Sequence, residues 1–207
     1  GAVLYIRCED SETKTKEIME RYQLNGKKVR IGFVGRITRE KGLDVLIEAV
    51  LRLPDSLREG IQLIFLGDYY SNEDQEWLEA ILREVRDQLE VHILPFQDPK
   101  PLYDIFDIFV LPSKSEAFGL VCVEAMLCGC CIVRTDTNGA KDQIRHGKEG
   151  FIYPREDPEA LMQILNELIH NPDRRKHVSR MGRQRALEKF TLSSMTENTL
   201  KVYKKLR

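Results

Sequence analysis

The chain has 207 residues, 42% of them hydrophobic and 31% charged, with a formal net charge of −1. That composition suits one globular domain and excludes a disordered chain. The charge balance gives no global case for nucleic acid, so no such partner is expected. No apolar stretch approaches the roughly 20 residues needed to span a bilayer; runs such as Ile61 to Leu66 are strand-sized. The chain opens on Gly1 without a signal-peptide pattern, and Ser11 to Tyr22 reads as a polar helix. Residues 1–27 do not join the alternation that follows and are expected to be a connector from something upstream.

From Lys28 onward, strand-like and helix-like segments alternate. Lys28 to Val34 is apolar and β-branched and stops at Gly35, and Leu43 to Leu53 has apolar residues at helical spacing. Ile61 to Leu66 is a second strand, and Glu73 to Leu89 an amphipathic helix with Trp77, Ile81, Leu82 and Val85 on one stripe. Val91 to Leu94, Ile108 to Leu111, Cys131 to Arg134 and Gly150 to Tyr153 are four further strands. Helices are expected at Leu102 to Phe106, Leu120 to Leu127, Ala140 to Arg145, Asp157 to His170, Pro172 to Lys189 and Ser193 to Leu206. Such alternation builds βαβ units, whose right-handed crossovers give a parallel sheet with helices on both faces. The expected fold class is therefore α/β with a six-stranded parallel sheet. Sheets of this kind bind ligands at the carboxyl ends of their strands.

Three loops fall at that edge. Gly35-Arg36-Ile37-Thr38-Arg39-Glu40-Lys41-Gly42 follows the first strand. Glycine admits close approach of a ligand to the backbone, the next helix offers free N–H groups and a positive dipole end, and Arg36 and Lys41 add a fork and a point charge for phosphate oxygens. The loop is neither a Walker loop nor G-x-G-x-x-G, and an ordinary turn with solvated cations is the alternative. The second loop starts at Pro112, carries Glu116, and opens a helix at Gly119 and Leu120. Glu124 sits among Val121, Val123, Ala125 and Met126, where a carboxylate must be paired or bound to something, such as sugar hydroxyls; a bond to a protein neighbour serves equally. In the third, Thr135 to Ala140, Thr137 or Asn138 either contributes to the site or caps the next helix.

Of the five cysteines, Cys8, Cys122, Cys128, Cys130 and Cys131, four crowd into ten residues without metal-ligand or disulfide spacing. They read as reduced, buried thiols of a cytoplasmic protein. Pro172 to Arg207 holds eleven Lys/Arg against three Asp/Glu, either a solvated face or a patch that meets a partner domain or, peripherally, the inner face of an anionic membrane.

The motifs in order are Gly35-Arg36 with Lys41-Gly42, Leu66-Gly67-Asp68, Pro112-Ser113-x2-Glu116-x-Phe118-Gly119-Leu120-x3-Glu124-Ala125-Met126-x2-Gly129, and His146-Gly147-x2-Gly150-Phe151-Ile152-Tyr153. Together they resemble the C-terminal domain of glycosyltransferase family 4, over roughly Lys28 to Lys189, and Glu116 and Glu124 match that family's E-x7-E pair. The resemblance implies a Rossmann-like half of a GT-B retaining glycosyltransferase that holds a nucleotide diphospho-sugar, with a UDP-sugar favoured and a GDP-sugar next. It implies that Arg36 and Lys41 neutralise the diphosphate and, with Glu116 facing the transferred sugar, form the catalytic group of this half. Gly35, Phe118, Gly119 and Leu120 join them in binding, Glu124 accepts from the ribose, and Phe96 lies in the base-contacting loop from Leu94 to Asp98. No metal and no cofactor is implied. The donor domain spans residues 28–190, and a helix in residues 191–207 is expected to cross to an N-terminal acceptor domain that also supplies a catalytic histidine. None of His92, His146, His170 and His177 fits that role. Cys130-Cys131 departs from the family pattern, which has proline after the helix. The competing reading is a non-catalytic nucleotide-sugar-binding or regulatory module; a flavodoxin-like domain would leave the glutamate pair unexplained.

Overall fold

In the computed structural model, residues 11–24 and 26–190 are described; the helix expected at Ser193 to Leu206 and Cys8 lie outside them. Six strands, β1 (Val29–Val34), β2 (Ile61–Leu66), β3 (Val91–Leu94), β4 (Ile108–Leu111), β5 (Cys131–Thr135) and β6 (Phe151–Tyr153), form one parallel sheet in the order β3-β2-β1-β4-β5-β6. Every residue of β2, β4 and β5 is buried, as continuous apolar strands between two helical layers require. Phe33 and Phe65, on neighbouring strands in register, meet edge to face at 6.3 Å.

The helices are α1 (Ser11–Arg21), α2 (Leu43–Leu51), α3 (Asp55–Arg58), α4 (Asn72–Val85), α5 (Lys100–Tyr103), α6 (Leu120–Leu127), α7 (Ala140–Gln143), α8 (Pro158–His170) and α9 (Pro172–Lys189). They cover both faces of the sheet, with α2 against α8 and α6 against α9. The bounds of α6 and α9 are those the sequence predicts. Elsewhere local chemistry moves them. Ser71 caps α4 by accepting from the Asp74 N–H, which starts that helix one residue early. Pro101, in the first turn where a missing N–H costs nothing, starts α5 two residues before the expected Leu102. The single turn α3 follows Pro54 and has no buried side chain, so it leaves no apolar period to read.

α1 lies against α5. Its Ile18 and the following Leu24 enter the hydrophobic core, and Thr15 Oγ1 donates to the Pro101 carbonyl at 3.4 Å. This segment, polar by sequence, is thus anchored on the same domain as the sheet. Cys122, Cys130 and Cys131 are buried and free, and Cys128 is free and half-buried. Burial pushes the Cys122 and Cys131 thiols up to about 12 and Cys128 to about 11. Where the family pattern has proline, Cys131 opens β5 and its N–H donates to the Asp107 carbonyl. No helix among the described residues is long and apolar enough to cross a membrane.

Candidate functional site

The strand order reverses between β1 and β4. The chain leaves β1 toward β2 and leaves β4 toward β5, so the loops after these two strands part and open a crevice. An open cleft of about 630 Å³ lies there, lined by Gly35, Arg36, Thr38 and Lys41 from the first loop and by Glu116 to Val121 from the second. Seven of the nine predicted site residues, Gly35, Arg36, Lys41, Glu116, Phe118, Gly119 and Leu120, therefore share one cleft.

The two loops are tied together. Gly42 sits at φ 69°, and a Cβ there would lie 2.2 Å from the Pro112 carbonyl oxygen, so only glycine allows this approach. The Lys114 N–H donates to the Glu40 carbonyl at 2.8 Å. Across the cleft, Lys41 Nζ donates to Glu116 Oε2 at 2.8 Å, both side chains being mostly buried. Arg36 is exposed and lies over the Tyr70 ring, 5.1 Å from its centroid.

Gly119, at φ 76°, precedes α6. Among the described residues no acceptor lies within hydrogen-bond reach of the Gly119 and Leu120 N–H groups. They are free donors at the positive end of a helix, the usual seat of an anion. Phe118 packs edge to face on Phe190 at 5.9 Å, and Leu120 is exposed in the cleft mouth.

The other two predicted residues stand outside the lining of this cleft. Glu124 is half-buried on α6 and accepts from the Tyr103 hydroxyl at 3.0 Å. Burial raises its pKa, and the Tyr103 hydrogen bond opposes the rise. Burial also holds Tyr103 protonated, so it acts as the donor. The isolated carboxylate in an apolar helix thus has a protein partner and still turns one flank outward. Phe96 is exposed on the loop after β3, which Asp68 fixes by accepting the Phe96 N–H at 3.1 Å.

In the third loop, the capping alternative does not hold. No side chain caps α7. Thr137 Oγ1 instead accepts from Arg134 Nη2 at 3.0 Å. Arg134 and Gln143, both fully buried, reach the backbone of the second loop. The sequence places the end of β5 at Arg134, and the structure extends the strand to Thr135. For Arg134 the available signal was a cation in an otherwise apolar strand; Gln143, in the polar segment Ala140–Gln143, carried none. No histidine lines the cleft, and among the described residues no three of His, Cys, Asp and Glu gather as metal ligands do.

The family model of the glycosyl transferases group 1 matches residues 14–185. The alpha-maltose-1-phosphate synthase of Mycolicibacterium smegmatis is 30% identical over 194 residues, 85% of this chain and 48% of that protein. The D-inositol 3-phosphate glycosyltransferase of Corynebacterium jeikeium is 31% identical over 182 residues, 85% of this chain and 43% of that protein. The chain spans about half the length of the curated relatives it matches. In fold it is similar to HepE of Anabaena, solved in complex with UDP-glucose, with a TM-score of 0.81, 23% identity and coverage of 93% of this chain and 53% of that one. It is also similar to the C-terminal domain of the group 1 glycosyl transferase LpcC from Francisella tularensis, with a TM-score of 0.79, 20% identity and coverage of 93% and 100%. With the sheet order, the cleft at its switch point and the match over residues 14–185 agreeing, this chain belongs to the glycosyl transferases group 1 family, and its fold is the Rossmann-like domain of GT-B glycosyltransferases.

Proposed function

We propose that this chain is the donor half of a retaining glycosyltransferase, which moves a hexosyl group from a nucleotide diphospho-sugar to a glycan, glycolipid or small-molecule acceptor. The observation that carries the proposal is the meeting of Arg36, Lys41, Glu116 and the free Gly119 and Leu120 N–H groups in one cleft. Two cations and two backbone donors converge where a diphosphate gains negative charge as the glycosidic bond breaks. Fixed donors aimed at developing charge are commonly the largest catalytic contribution. Arg36 and Lys41 stabilise the leaving diphosphate, and Glu116 meets the transferred sugar.

The Lys41–Glu116 ion pair gives the order of events. The diphosphate competes with Glu116 for the ammonium group, and binding frees the carboxylate beside the sugar. Glu124, held by Tyr103, takes the ribose hydroxyls, and the loop carrying Phe96 takes the base. UDP is the favoured nucleotide, in keeping with the UDP and UDP-glucose complexes of the HepE fold relative. Front-side attack needs no protein nucleophile, and none is assigned.

The acceptor and the catalytic histidine belong to an N-terminal half, in keeping with the share of its relatives that the chain spans. Buried free thiols and the exposed Arg174, Lys176, Arg180 and Arg183 on α9 favour a cytoplasmic protein that touches the inner face of a membrane.

The test is a calorimetric titration of this chain with UDP, GDP and ADP, repeated on Glu124→Ala. One nucleotide is expected to bind at about 10 μM to 1 mM, since half the contacts of a closed GT-B cleft are absent. The variant should lose about tenfold of that affinity. Equal affinity in both proteins would refute the placement of the ribose on Glu124, and binding of no nucleotide would favour a module that keeps the fold without the ligand.

A further inference from the structure

Arg134 is fully buried, and its known partners are all neutral. Nη1 donates to the Phe118 carbonyl at 2.9 Å and to Gln143 Oε1, and Nη2 donates to Thr137 Oγ1 at 3.0 Å. Nε has no partner at all. A buried cation without a carboxylate is costly to keep, and protein interiors retain such groups chiefly where a ligand supplies the counter-charge.

The position of Arg134 says where that charge comes from. A Cβ built on Gly119 would lie 3.3 Å from Arg134 Nη1, so the guanidinium stands directly behind the loop with the free N–H groups. Gln143 Nε2 completes the brace, donating to the Phe118 carbonyl at 2.6 Å and to the Gly119 carbonyl at 3.1 Å. In a trans peptide the C=O of one residue and the N–H of the next point in opposite directions, and no peptide bond among the described residues is cis. Pulling the Phe118 and Gly119 carbonyls inward therefore turns the Gly119 and Leu120 N–H groups outward, on the side where both residues line the cleft.

We infer that Arg134, with Gln143, is a positioning residue for anion binding. It aims the Gly119 and Leu120 amides at a diphosphate and adds a third positive charge behind them, without touching the ligand. The inference rests on the donor-site reading above and adds to it a residue in β5 and one in α7 that form no part of the cleft lining.

The test compares UDP with uridine, both titrated by two-dimensional NMR against this chain and its variants. In wild type UDP should bind at least tenfold more tightly than uridine. Arg134→Met should weaken UDP by about 10- to 100-fold and change uridine less than about twofold. Arg134→Lys, which keeps the charge and loses the fork, should recover part of the loss. The double variant Arg134→Met/Gln143→Leu fills the space with apolar atoms, keeps the fold, and should match Arg134→Met. UDP affinity unchanged in both Met variants would overturn the inference. So would a parallel loss of uridine, which marks general collapse of the loop, or a Lys variant no better than Met. A wild type that does not prefer UDP to uridine would overturn the donor-site reading as well. A wild type that prefers UDP and loses it in Lys41→Ala but not in Arg134→Met would leave that reading intact and remove Arg134 alone.

Discussion

The two ends of the sheet treat charge in opposite ways. At the amino ends of the strands, donor side chains meet carboxylates. Lys28 Nζ, Gln62 Nε2 and His92 Nε2 converge on Glu90 at 2.7, 2.6 and 2.7 Å. Asp107 accepts the Arg30 N–H at 2.9 Å and pairs with Arg175 at 3.3 Å. At the carboxyl ends, Arg36 and Lys41 share one cleft with a single carboxylate, Glu116, which pairs with Lys41, and Arg134 stands behind the Gly119 loop. At the amino ends the charged groups find partners within the fold, so their charges serve stability. The carboxyl ends keep a positive surplus that a diphosphate completes. Substitutions at one end should therefore change stability without binding, and at the other binding without much stability.

The largest effect is expected at Lys41. Lys41→Ala should lower UDP affinity by about 10- to 100-fold and, in an enzyme that includes the acceptor half, lower turnover by about 10²- to 10³-fold. Its melting temperature should shift little, because the ion pair it breaks is partly solvated and Glu116 can turn to water. Isothermal titration and steady-state rates measure the first two and calorimetry the third. A variant that melts far below wild type yet binds UDP normally would erase the distinction between the two ends.

How much of this was legible beforehand follows from the same contrast. The strands were readable because burial on both faces leaves continuous apolar runs such as Ile61–Leu66 and Ile108–Leu111. The cleft residues were readable because Gly35, Glu116 and Gly119 sit in loops, where side-chain type reflects a local task. The second layer was not. Arg134 and Gln143 act through carbonyls 16 and 25 positions away, and a side chain bonded to distant backbone leaves no period or spacing. Tyr103 was hidden for a similar reason, since its 21-residue separation from Glu124 has no local signature. The docking of α1 was obscured by its polarity, as Ile18 alone is buried among its described side chains.

The next effect in size belongs to the other end. Asp107→Ala removes the acceptor of the Arg30 N–H and the partner of Arg175, leaving groups that are almost wholly buried. The expected cost is about 2–3 kcal/mol of folding stability, read by urea denaturation. UDP affinity of the folded protein should stay within about twofold of wild type. A large loss of UDP affinity without loss of stability would mean that this end communicates with the cleft.

The smallest effect concerns pH and sharpens the contrast further. Burial acts to raise the pKa of Glu90, but the hydrogen bonds from Lys28, His92 and Gln62 outweigh it and bring the group down to about 2. A carboxylate depressed in the folded state binds its proton more readily when unfolded, so it stabilises the fold above the unfolded pKa of about 4.3. That stabilisation falls away as pH drops from about 4.5 toward 2. Because about a third of the Glu90 side chain is exposed, solvent screens the pairing and the effect should not exceed about 1 kcal/mol. Wild type should thus lose more stability than Glu90→Gln between pH 5 and pH 3 (roughly the window set by the two pKa values), the two denaturation curves approaching each other as acid is added. Parallel curves would show that Glu90 titrates alike in both states. The cluster at the amino ends would then be packed without being electrostatically coupled, and the difference between the two ends would lie in burial alone.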